Sequence, residues 1–252
     1  MSLSNKVAIV TGASSGIGAA IAQVLAREGA ILALVGRNVA NLEETKKNLK
    51  AGTQAEIVVA DVTKDADDIV KQTLAKFGRI DVLVNNAGIL GKGGLIDLDI
   101  AEFDSVLNTN LRGVILLTKA VLPHLLKTKG AVVNVSSCAG IRPFAGALSY
   151  GVSKAALDQF TKIVALEMAP QGVRVNSVNP GFVVTNIHRT LGIVDEEYNG
   201  VLQRAIQSHP MGRVGLVTEV AEAVAFLASS KASFTTGALL PIDGGKNNLT
   251  PR

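Results

Sequence analysis

The sequence predicts a doubly wound α/β fold, and three observations carry that prediction. Short apolar runs alternate with longer helical patterns from one end of the 252-residue chain to the other. Hydrophobic residues make up 48% of the chain and charged residues 18%, which is enough apolar material for a sheet buried on both faces. No linker, repeat or low-complexity stretch interrupts the alternation. We therefore expect parallel strands joined by right-handed helical crossovers, in a single domain spanning residues 1–252.

Seven short apolar runs are the predicted strands, because each is bounded by turn residues and is too short for a buried helix. They lie at residues 7–10, 31–35, 56–60, 81–85, 131–136, 173–178 and 238–241. Nearly continuous apolar character is typical of strands that are covered on both faces, as in a parallel sheet.

The predicted helices are recognised by apolar residues three and four positions apart and by glycines at their ends. In the first of them Ile17, Ile21 and Val24 share one face, and Gly29 ends the pattern; Gly78 ends the third. The helices are predicted at 17–27, 39–49, 65–77, 100–127, 149–169 and 218–228. Residues 181–210 lack a regular period, and we expect them to be irregular and partly helical.

Composition excludes several classes of function. The net charge is +4 without a block of consecutive basic residues, and Trp is absent, so we expect no nucleic-acid partner. A lone cysteine and three scattered histidines favour neither an intrachain disulfide nor a metal site. No signal-peptide core and no run of ~18 apolar residues occurs, so we expect no membrane partner and a cytoplasmic enzyme.

A glycine-rich turn lies directly between the first strand and the first helix. It runs from Thr11 to Gly18, with further glycines at positions 12 and 16. Glycines there allow a tight turn, and the helix N-terminus offers unpaired N–H groups to a pyrophosphate. The Gly-x-x-x-Gly-x-Gly spacing differs from the general dinucleotide fingerprint, and an ordinary glycine-rich turn is the alternative. The position after the first strand favours phosphate binding.

Tyr150 and Lys154 stand four residues apart in a segment with strong helical character. On a helix this spacing places both side chains on one face. A free phenol has a pKa of about 10, and a nearby cation favours its ionised form. The spacing alone is also common on solvated helix faces, so the pair gains meaning only from the rest of the chain.

Six motifs taken together resemble the classical short-chain dehydrogenase/reductase family, in order and approximate spacing, from about residue 6 to residue 245. They are Thr11-Gly12-x-x-x-Gly16-x-Gly18, Asn85-Asn86-Ala87-Gly88, Asn110, Ser137, Tyr150-x-x-x-Lys154 and Pro180-Gly181. The resemblance implies a Rossmann sheet of seven parallel strands with NAD(P) across the carboxyl ends of the strands. It also implies an oxidoreductase that acts on CH–OH or C=O groups, and a homotetramer.

The resemblance implies a catalytic group of Asn110, Ser137, Tyr150 and Lys154. Tyr150 would exchange a proton with the substrate, and Ser137, thirteen residues earlier, would stabilise the substrate oxygen. Lys154 would lower the pKa of Tyr150 and hold the nicotinamide ribose, while Asn110 would link Lys154 to solvent through water. Ser136 is the neighbouring candidate, which we assign to strand-end or cofactor contacts. A locally capped polar residue inside a helix is the alternative for Asn110.

The resemblance also implies a cofactor site that draws on most of the strand ends. Its residues would be Gly12, Ser14, Ser15, Gly16, Ile17, Gly18, Arg37, Asn38, Asp61, Val62, Asn86, Ala87, Gly88, Tyr150, Lys154, Pro180, Gly181, Val183 and Thr185. Asp61 would face the adenine, and a residue at the start of a helix is the alternative for it.

The end of the second strand favours NADP(H) over NAD(H). An acid near this point would bind the ribose 2′-hydroxyl of NAD, but the chain has Gly36 followed by Arg37. No carboxylate repels a 2′-phosphate there, and the guanidinium can pair with it. The alternative is that Arg37 is a solvated cation and that NAD(H) is accepted as well.

The family's substrate region corresponds to residues 181–210, which we expect to form a lid. Its apolar residues, together with a wall between Ser137 and Tyr150, favour a small, largely apolar ketone or alcohol, which includes steroid-like carbonyls. These residues are Phe182, Val184, Ile187, Leu191 and Ile193 in the lid and Ile141, Pro143, Phe144 and Leu148 in the wall. Packing on each other or on a partner subunit is the alternative.

Two other functions stay open. The general pattern also resembles 3-oxoacyl-carrier-protein reductases, in which basic residues tend to lie in the segments occupied here by Thr128 and Gln171. Their absence lowers that alternative without excluding it. The chain could also be a catalytically idle Rossmann binding protein, against which the complete set of four catalytic residue types argues.

Overall fold

A seven-stranded, entirely parallel sheet forms the centre of the molecule, in the order β3-β2-β1-β4-β5-β6-β7. The structure is a computed structural model that describes residues 2–185 and 195–249, the side chains of residues 195–199 excepted. The strands are β1 Val7–Thr11, β2 Ile31–Gly36, β3 Ala55–Val59, β4 Val82–Asn85, β5 Ala131–Val135, β6 Arg174–Pro180 and β7 Leu239–Ile242. The predicted fold class is confirmed, with strand boundaries within about two residues of the apolar runs.

Helices cover both faces of the sheet. They are α1 Gly16–Arg27, α2 Val39–Lys47, α3 Ala66–Phe77, α4 Ile100–Leu107, α5 Gly113–Thr128, α6 Cys138–Ile141, α7 Leu148–Met168, α8 Asp195–Gln207 and α9 Val217–Ala228. The short helix α6 has no counterpart in the predicted elements. In the part of the chain that the structure describes, no helix is long and apolar enough to cross a membrane.

Alternate residues of the strands build two hydrophobic cores, one on each side of the sheet. On one side Val10, Leu34 and Val84 pack with residues of α1 and α9, such as Ile21 and Val224. On the other side Ile9, Ala33 and Leu83 belong to a core that includes Ile69 of α3 and Leu117 of α5. Burial on both faces explains why the strands are apolar throughout rather than alternating with polar residues.

The predicted helix over residues 100–127 is confirmed, but it is not α-helical at its centre. A π-helical turn, Asn108–Arg112, separates α4 from α5. A π turn holds one more residue than an α turn, so it changes which side chains face inward. The turn leaves Asn110 completely buried. Apolar periodicity could not reveal this, since α4 and α5 are each regular on their own.

The strand order reverses between β2 and β4, which lie on opposite sides of β1. Ile9 pairs with Ala33 of β2 and with Leu83 of β4. At such a switch point the loops at the carboxyl ends of adjacent strands lead to opposite faces of the sheet and leave a crevice between them. The fold therefore predicts a ligand site beyond the carboxyl end of β1.

Candidate active site

A cavity of about 1100 Å³ opens at this switch point. All of the residues predicted to bind the cofactor line it, and so do Ser136 and Ser137. Of the four predicted catalytic residues, Asn110 alone does not line the cavity. The cavity extends from the end of β2 to the turn after β7, and it is therefore lined by residues that lie far apart in the sequence.

The glycine-rich turn at the end of β1 is shaped for close approach. Gly12 has a φ of +63°, which side-chain-bearing residues rarely adopt. A Cβ on Gly18 would lie only 2.1 Å from the carbonyl oxygen of Gly12. Ser15 precedes α1 but its side chain makes no capping hydrogen bond, so the first N–H groups of the helix are left for another acceptor. This geometry fits the pyrophosphate of a dinucleotide.

The Asn-Asn-Ala-Gly segment is tied to this turn by Thr11. The Thr11 hydroxyl accepts hydrogen bonds from the backbone N–H groups of Asn86, at 2.9 Å, and Ala87, at 3.0 Å. The Asn86 amide donates to the carbonyl oxygens of Thr11, at 2.9 Å, and Gly12, at 3.3 Å. Asn85 turns inward and donates to Asn134 on β5. The segment thus holds strands together while its backbone borders the cavity.

Arg37 and Asp61 stand at the far end of the cavity. The Arg37 guanidinium is 75% exposed and lies 3.9 Å from the Asp61 carboxylate. The backbone N–H of Thr63 donates to Asp61 at 2.9 Å and lowers the pKa of this carboxyl. The helix α3 begins later, and Asp65 is its N-cap residue. Asp61 is therefore a turn residue that also borders the cavity, and Arg37 has a cationic face open to a ligand.

Tyr150 and Lys154 both project from the first half of α7. The Lys154 ammonium lies 5.6 Å from the centre of the Tyr150 ring and donates to the carbonyl oxygen of Val135 at 2.8 Å. Burial lowers the pKa of Lys154 to about 8. Burial likewise raises the pKa of Tyr150 to about 12, and a hydrogen bond with Ser137 acts in the opposite direction. The Tyr150 pKa is therefore raised and not lowered as predicted, because the loss of water around the phenol outweighs the other effects on it.

Asn179 and Asp158 form a buried polar group that is hydrogen-bonded to the backbone of Ser137 and that the sequence analysis missed. The Asn179 amide donates to the carbonyl oxygen of Ser137 at 3.0 Å and to both carboxylate oxygens of Asp158 at 3.0 Å. Burial raises the pKa of Asp158, while a hydrogen bond from Ser136 opposes that rise. Asp158 follows Lys154 by four residues on the same helix, and this spacing was the available sequence signal. The group joins β6, α7 and the residue that caps α6, next to the candidate catalytic hydroxyls.

Asn110 is buried next to the cavity, and its side chain is hydrogen-bonded to the backbone of Ile89. Its Oδ1 accepts from the N–H of Ile89 at 2.8 Å, and its Nδ2 donates to the Ile89 carbonyl at 2.9 Å. A third contact, at 3.1 Å, reaches the hydroxyl of Ser153 on α7. Asn110 thereby fixes the chain after the Asn-Asn-Ala-Gly segment against the helix that carries Tyr150 and Lys154. Its link to Lys154 through water stays a prediction.

His209 connects the loop after β6 to α8, a role that the sequence analysis did not predict. Its Nε2 accepts a hydrogen bond from the N–H of Phe182 at 3.1 Å, and its Nδ1 lies 2.5 Å from the Ala205 carbonyl. A Cβ on Gly181 would lie 2.6 Å from the same Nε2. The glycine of the Pro-Gly pair is therefore needed for close approach of the imidazole.

The predicted apolar wall is only partly correct. Phe144 and Phe182 line the cavity, together with Leu90 and Val201. The other predicted residues in the described part of the chain, Ile141, Pro143, Leu148 and Val184, do not line it. Ile141, the last residue of α6, is 43% exposed, and Val184, in the loop after β6, is 49% exposed, so both side chains face outward. The predicted lid residues Ile187, Leu191 and Ile193 lie outside the described residues.

Comparisons with known proteins agree with the geometry over nearly the whole chain. The sequence model of a family described as enoyl-(acyl carrier protein) reductase matches residues 12–247. A protein named 3-oxoacyl-acyl-carrier-protein reductase FabG, from Thermotoga maritima, is 39% identical over 250 residues, which cover 97% of this chain and 99% of the relative. A relative of the same name from Salmonella typhimurium is 38% identical over 250 residues, with coverages of 97% and 98%.

Two solved structures share the fold closely. One is a short-chain dehydrogenase/reductase of unknown function from Caenorhabditis elegans, with cofactor, at 39% identity and a TM-score of 0.93; the match covers 99% of this chain and 98% of that one. The other is levodione reductase, at 35% identity and a TM-score of 0.94, with coverages of 98% and 100%.

Proposed function

The chain belongs to the short-chain dehydrogenase/reductase family of oxidoreductases, and from that premise we propose an NADP(H)-dependent enzyme. It transfers hydride between the cofactor and the carbonyl or alcohol carbon of a small, largely apolar ketone or alcohol. One observation carries the proposal: Ser137, Tyr150 and Lys154 line the same cavity as the uncapped N-terminus of α1. We infer that the cofactor occupies this cavity, because the uncapped N-terminus of α1 offers backbone N–H groups to a pyrophosphate.

In the proposed mechanism the protein handles the proton and the oxygen of the substrate. The bound nicotinamide cofactor supplies or accepts the hydride. Tyr150 donates its phenolic proton to the developing alkoxide, and the Ser137 hydroxyl donates a hydrogen bond to the same oxygen. Lys154, anchored on the Val135 carbonyl, holds a positive charge beside the phenol. In the reverse oxidation the Tyr150 phenolate is the base.

The two directions of the reaction are expected to respond oppositely to pH. Because burial raises the pKa of Tyr150 to about 12, the phenol stays protonated through the neutral range and is ready to act as an acid. Oxidation needs the phenolate, whose fraction rises tenfold per pH unit below that pKa. We expect kcat/KM for alcohol oxidation to rise from pH 6 to 10. Carbonyl reduction should be flat up to about pH 8 and then fall as Lys154, with its pKa of about 8, loses its charge.

Initial rates in both directions over this range, with one carbonyl–alcohol pair, test the pH dependence. A pH-independent oxidation rate would show that Tyr150 is not the base.

Arg37→Asp is expected to change the cofactor preference from NADP(H) toward NAD(H). The substitution removes the exposed guanidinium and places two carboxylates, at positions 37 and 61, where a 2′-phosphate would bind. A charge-assisted hydrogen bond is worth about 1.5–3 kcal/mol, so kcat/KM with NADPH should fall about 10- to 100-fold or more. The value with NADH should stay level or rise.

Lys71→Asp on the exposed face of α3 is the matched control for the change in net charge. It should leave both kcat/KM values as in the wild type. If the wild-type enzyme uses NADH as well as NADPH or better, the assignment of NADP(H) is wrong.

A second candidate function is 3-oxoacyl-carrier-protein reductase. The relatives of that name, at 38–39% identity over 97% of the chain, favour it. A direct comparison of an acetoacetyl-carrier-protein thioester with free ketones separates the two candidates. An idle binding protein is supported only if NADPH binds and none of these substrates is turned over.

We further infer a cytoplasmic homotetramer, the assembly that is usual in the family. Exposed apolar side chains support a subunit contact along α7 and near β7; they include Leu166 and Phe234. Light scattering should give four times the mass of the chain, and a monomer would contradict the inference.

A further inference from the structure

Two cationic side chains line the end of the cavity that lies beyond Ser137, and the proposed mechanism uses neither. They are Arg204 of α8 and Lys246, which follows β7. Among the described residues that line the cavity, the single carboxylate belongs to Asp61, which is grouped with Arg37 at the other end. The substrate end is therefore positive while its walls, such as Phe144 and Phe182, are apolar.

Lys246 is held in place without being neutralised. Its ammonium donates to the Ser208 hydroxyl at 3.0 Å and lies 4.9 Å from the centre of the Phe144 ring. Both contacts orient a cation, and neither partner carries a negative charge. In residues 2–185 and 200–249, none of the ion pairs within 4.0 Å involves Lys246. A half-buried, unneutralised ammonium can still form a charge-assisted hydrogen bond with an anion.

Hydrogen bonds fix the backbone on both sides of Lys246. The Asp243 carboxylate accepts hydrogen bonds from the N–H groups of Gly245, at 2.9 Å, and Asn247, at 2.8 Å. Gly244 and Gly245 have φ values of +58° and +87°, which let the chain turn sharply after β7. Arg142 also donates to the carbonyl oxygen of Lys246 at 3.1 Å. The position of the side chain is therefore determined on both sides of the residue.

The charge of Lys246 reaches Cys138, the residue that follows the candidate catalytic Ser137. The Cys138 thiol directly follows Ser137, and burial raises its pKa, while Lys246 has the largest opposing effect. Thus Lys246 acts electrostatically on the short helix that Ser137 caps. Because Lys246 lines the same cavity as Tyr150 and Ser137, one substrate molecule can place an anionic group at Lys246 and its carbonyl at the two hydroxyls.

We propose that the substrate end of this cavity binds an anionic group of the carbonyl substrate, with Lys246 as the residue that determines this specificity. The group is a carboxylate or a phosphate, and the apolar walls hold the carbon chain between it and the reacting carbonyl. The inference rests on the proposed hydride transfer and narrows its substrate class to small, largely apolar ketones or alcohols that carry an anionic group. Arg204, which is exposed, adds to the field at the entrance.

Matched substrate pairs test the proposal and distinguish the two anions. One pair is a 3-oxo acid and its methyl ester; the other is an oxoalkyl phosphate and the corresponding alcohol. We expect kcat/KM with NADPH to be about 10- to 100-fold higher for the anion in at least one pair, because a partly desolvated charge pair is worth more than an exposed one. In Lys246→Met the ratio should fall to about one, while Lys246→Arg should keep most of it.

Lys127→Met, on the exposed end of α5, is the control for loss of one positive charge and should keep the wild-type ratios. Neutral substrates that equal or exceed the anions in the wild type would overturn the proposal. So would a preference for anions that survives in Lys246→Met.

A direct binding measurement keeps the test separate from the proposed function. If no substrate is turned over, calorimetric titration of the NADP-bound protein with the 3-oxo acid and the oxoalkyl phosphate decides. Binding that Lys246→Met weakens at least tenfold supports the anion site even though the proposed reaction fails. If the wild type and Lys246→Met bind these two anions equally, or if neither protein binds them, the proposed anion site is wrong.

Discussion

Tyr150→Phe is expected to lower kcat for carbonyl reduction by about 10³-fold or more. The phenol is the proposed proton donor, and general acid catalysis of this kind contributes typically about 10²- to 10⁴-fold. Removal of the hydroxyl also removes the hydrogen bond between Tyr150 and Ser137. The ring remains, so the packing around α7 and its cation contact with Lys154 should persist.

Stopped-flow and steady-state assays with NADPH and a ketone measure the loss, and fluorescence titration shows whether NADPH still binds. We expect the dissociation constant for NADPH to change less than about threefold, since Tyr150→Phe retains the ring and the helix. Near-normal turnover in this variant would refute the proposed mechanism. Ser137→Ala is a useful companion, because loss of one oxygen-stabilising donor should have a smaller effect, about 10²-fold.

Gly18→Ala is expected to destabilise the protein and to abolish NADPH binding at micromolar concentrations. The new Cβ would meet the Gly12 carbonyl oxygen at 2.1 Å and its carbon at 2.7 Å, both backbone atoms at the end of β1. Relief requires α1 to move away from the turn, which disrupts the packing of Ile21 and Leu25 against the sheet. Overpacking of this kind costs about 1–3 kcal/mol, and often more against rigid backbone.

Gly151→Ala is the matched control, since its Cβ would have no neighbour closer than 3.6 Å. Alanine favours the helix by about 0.8–1 kcal/mol over glycine, so this variant should be slightly more stable than the wild type. Urea denaturation gives the free energies of unfolding, and NADPH titration gives the affinities. A Gly18→Ala protein that matches the wild type in both would show that the turn is not a close-packed phosphate site.

The strands and the glycine turn were predictable because their signals are local. Runs such as residues 7–10 and 81–85 read as buried strands, and the structure places strands there. The turn between β1 and α1 was recognised from its three glycines, Gly12, Gly16 and Gly18, and from its position directly after the first strand. In contrast, the π-helical turn around Asn110 left no local trace, since apolar residues continue on both sides of it.

The apolar wall was harder to predict because the orientation of a side chain in a loop or at the end of a short helix depends on its tertiary surroundings. Phe144 and Ile141 are three residues apart, yet Phe144 faces the cavity and Ile141 faces solvent. Lys246 lies 96 positions after Tyr150 in the sequence, and no spacing rule connects the two. Only the position of β7 beside β6 brings the turn after it to the substrate end of the cavity.

By itself the sequence determined the fold class, through hydrophobic periodicity, and the position of the glycine turn after the first strand. The residues predicted to bind the cofactor and the candidate catalytic side chains came from the resemblance of the motifs, in their order along the chain, to the family. The tertiary structure alone decided the environment of those side chains. Burial sets the pKa of Tyr150 and of Lys154, and Asn179 of β6 joins Asp158 to the backbone of Ser137. Solvation and charge depend on distances through space, and these exist only once the strands have been placed side by side.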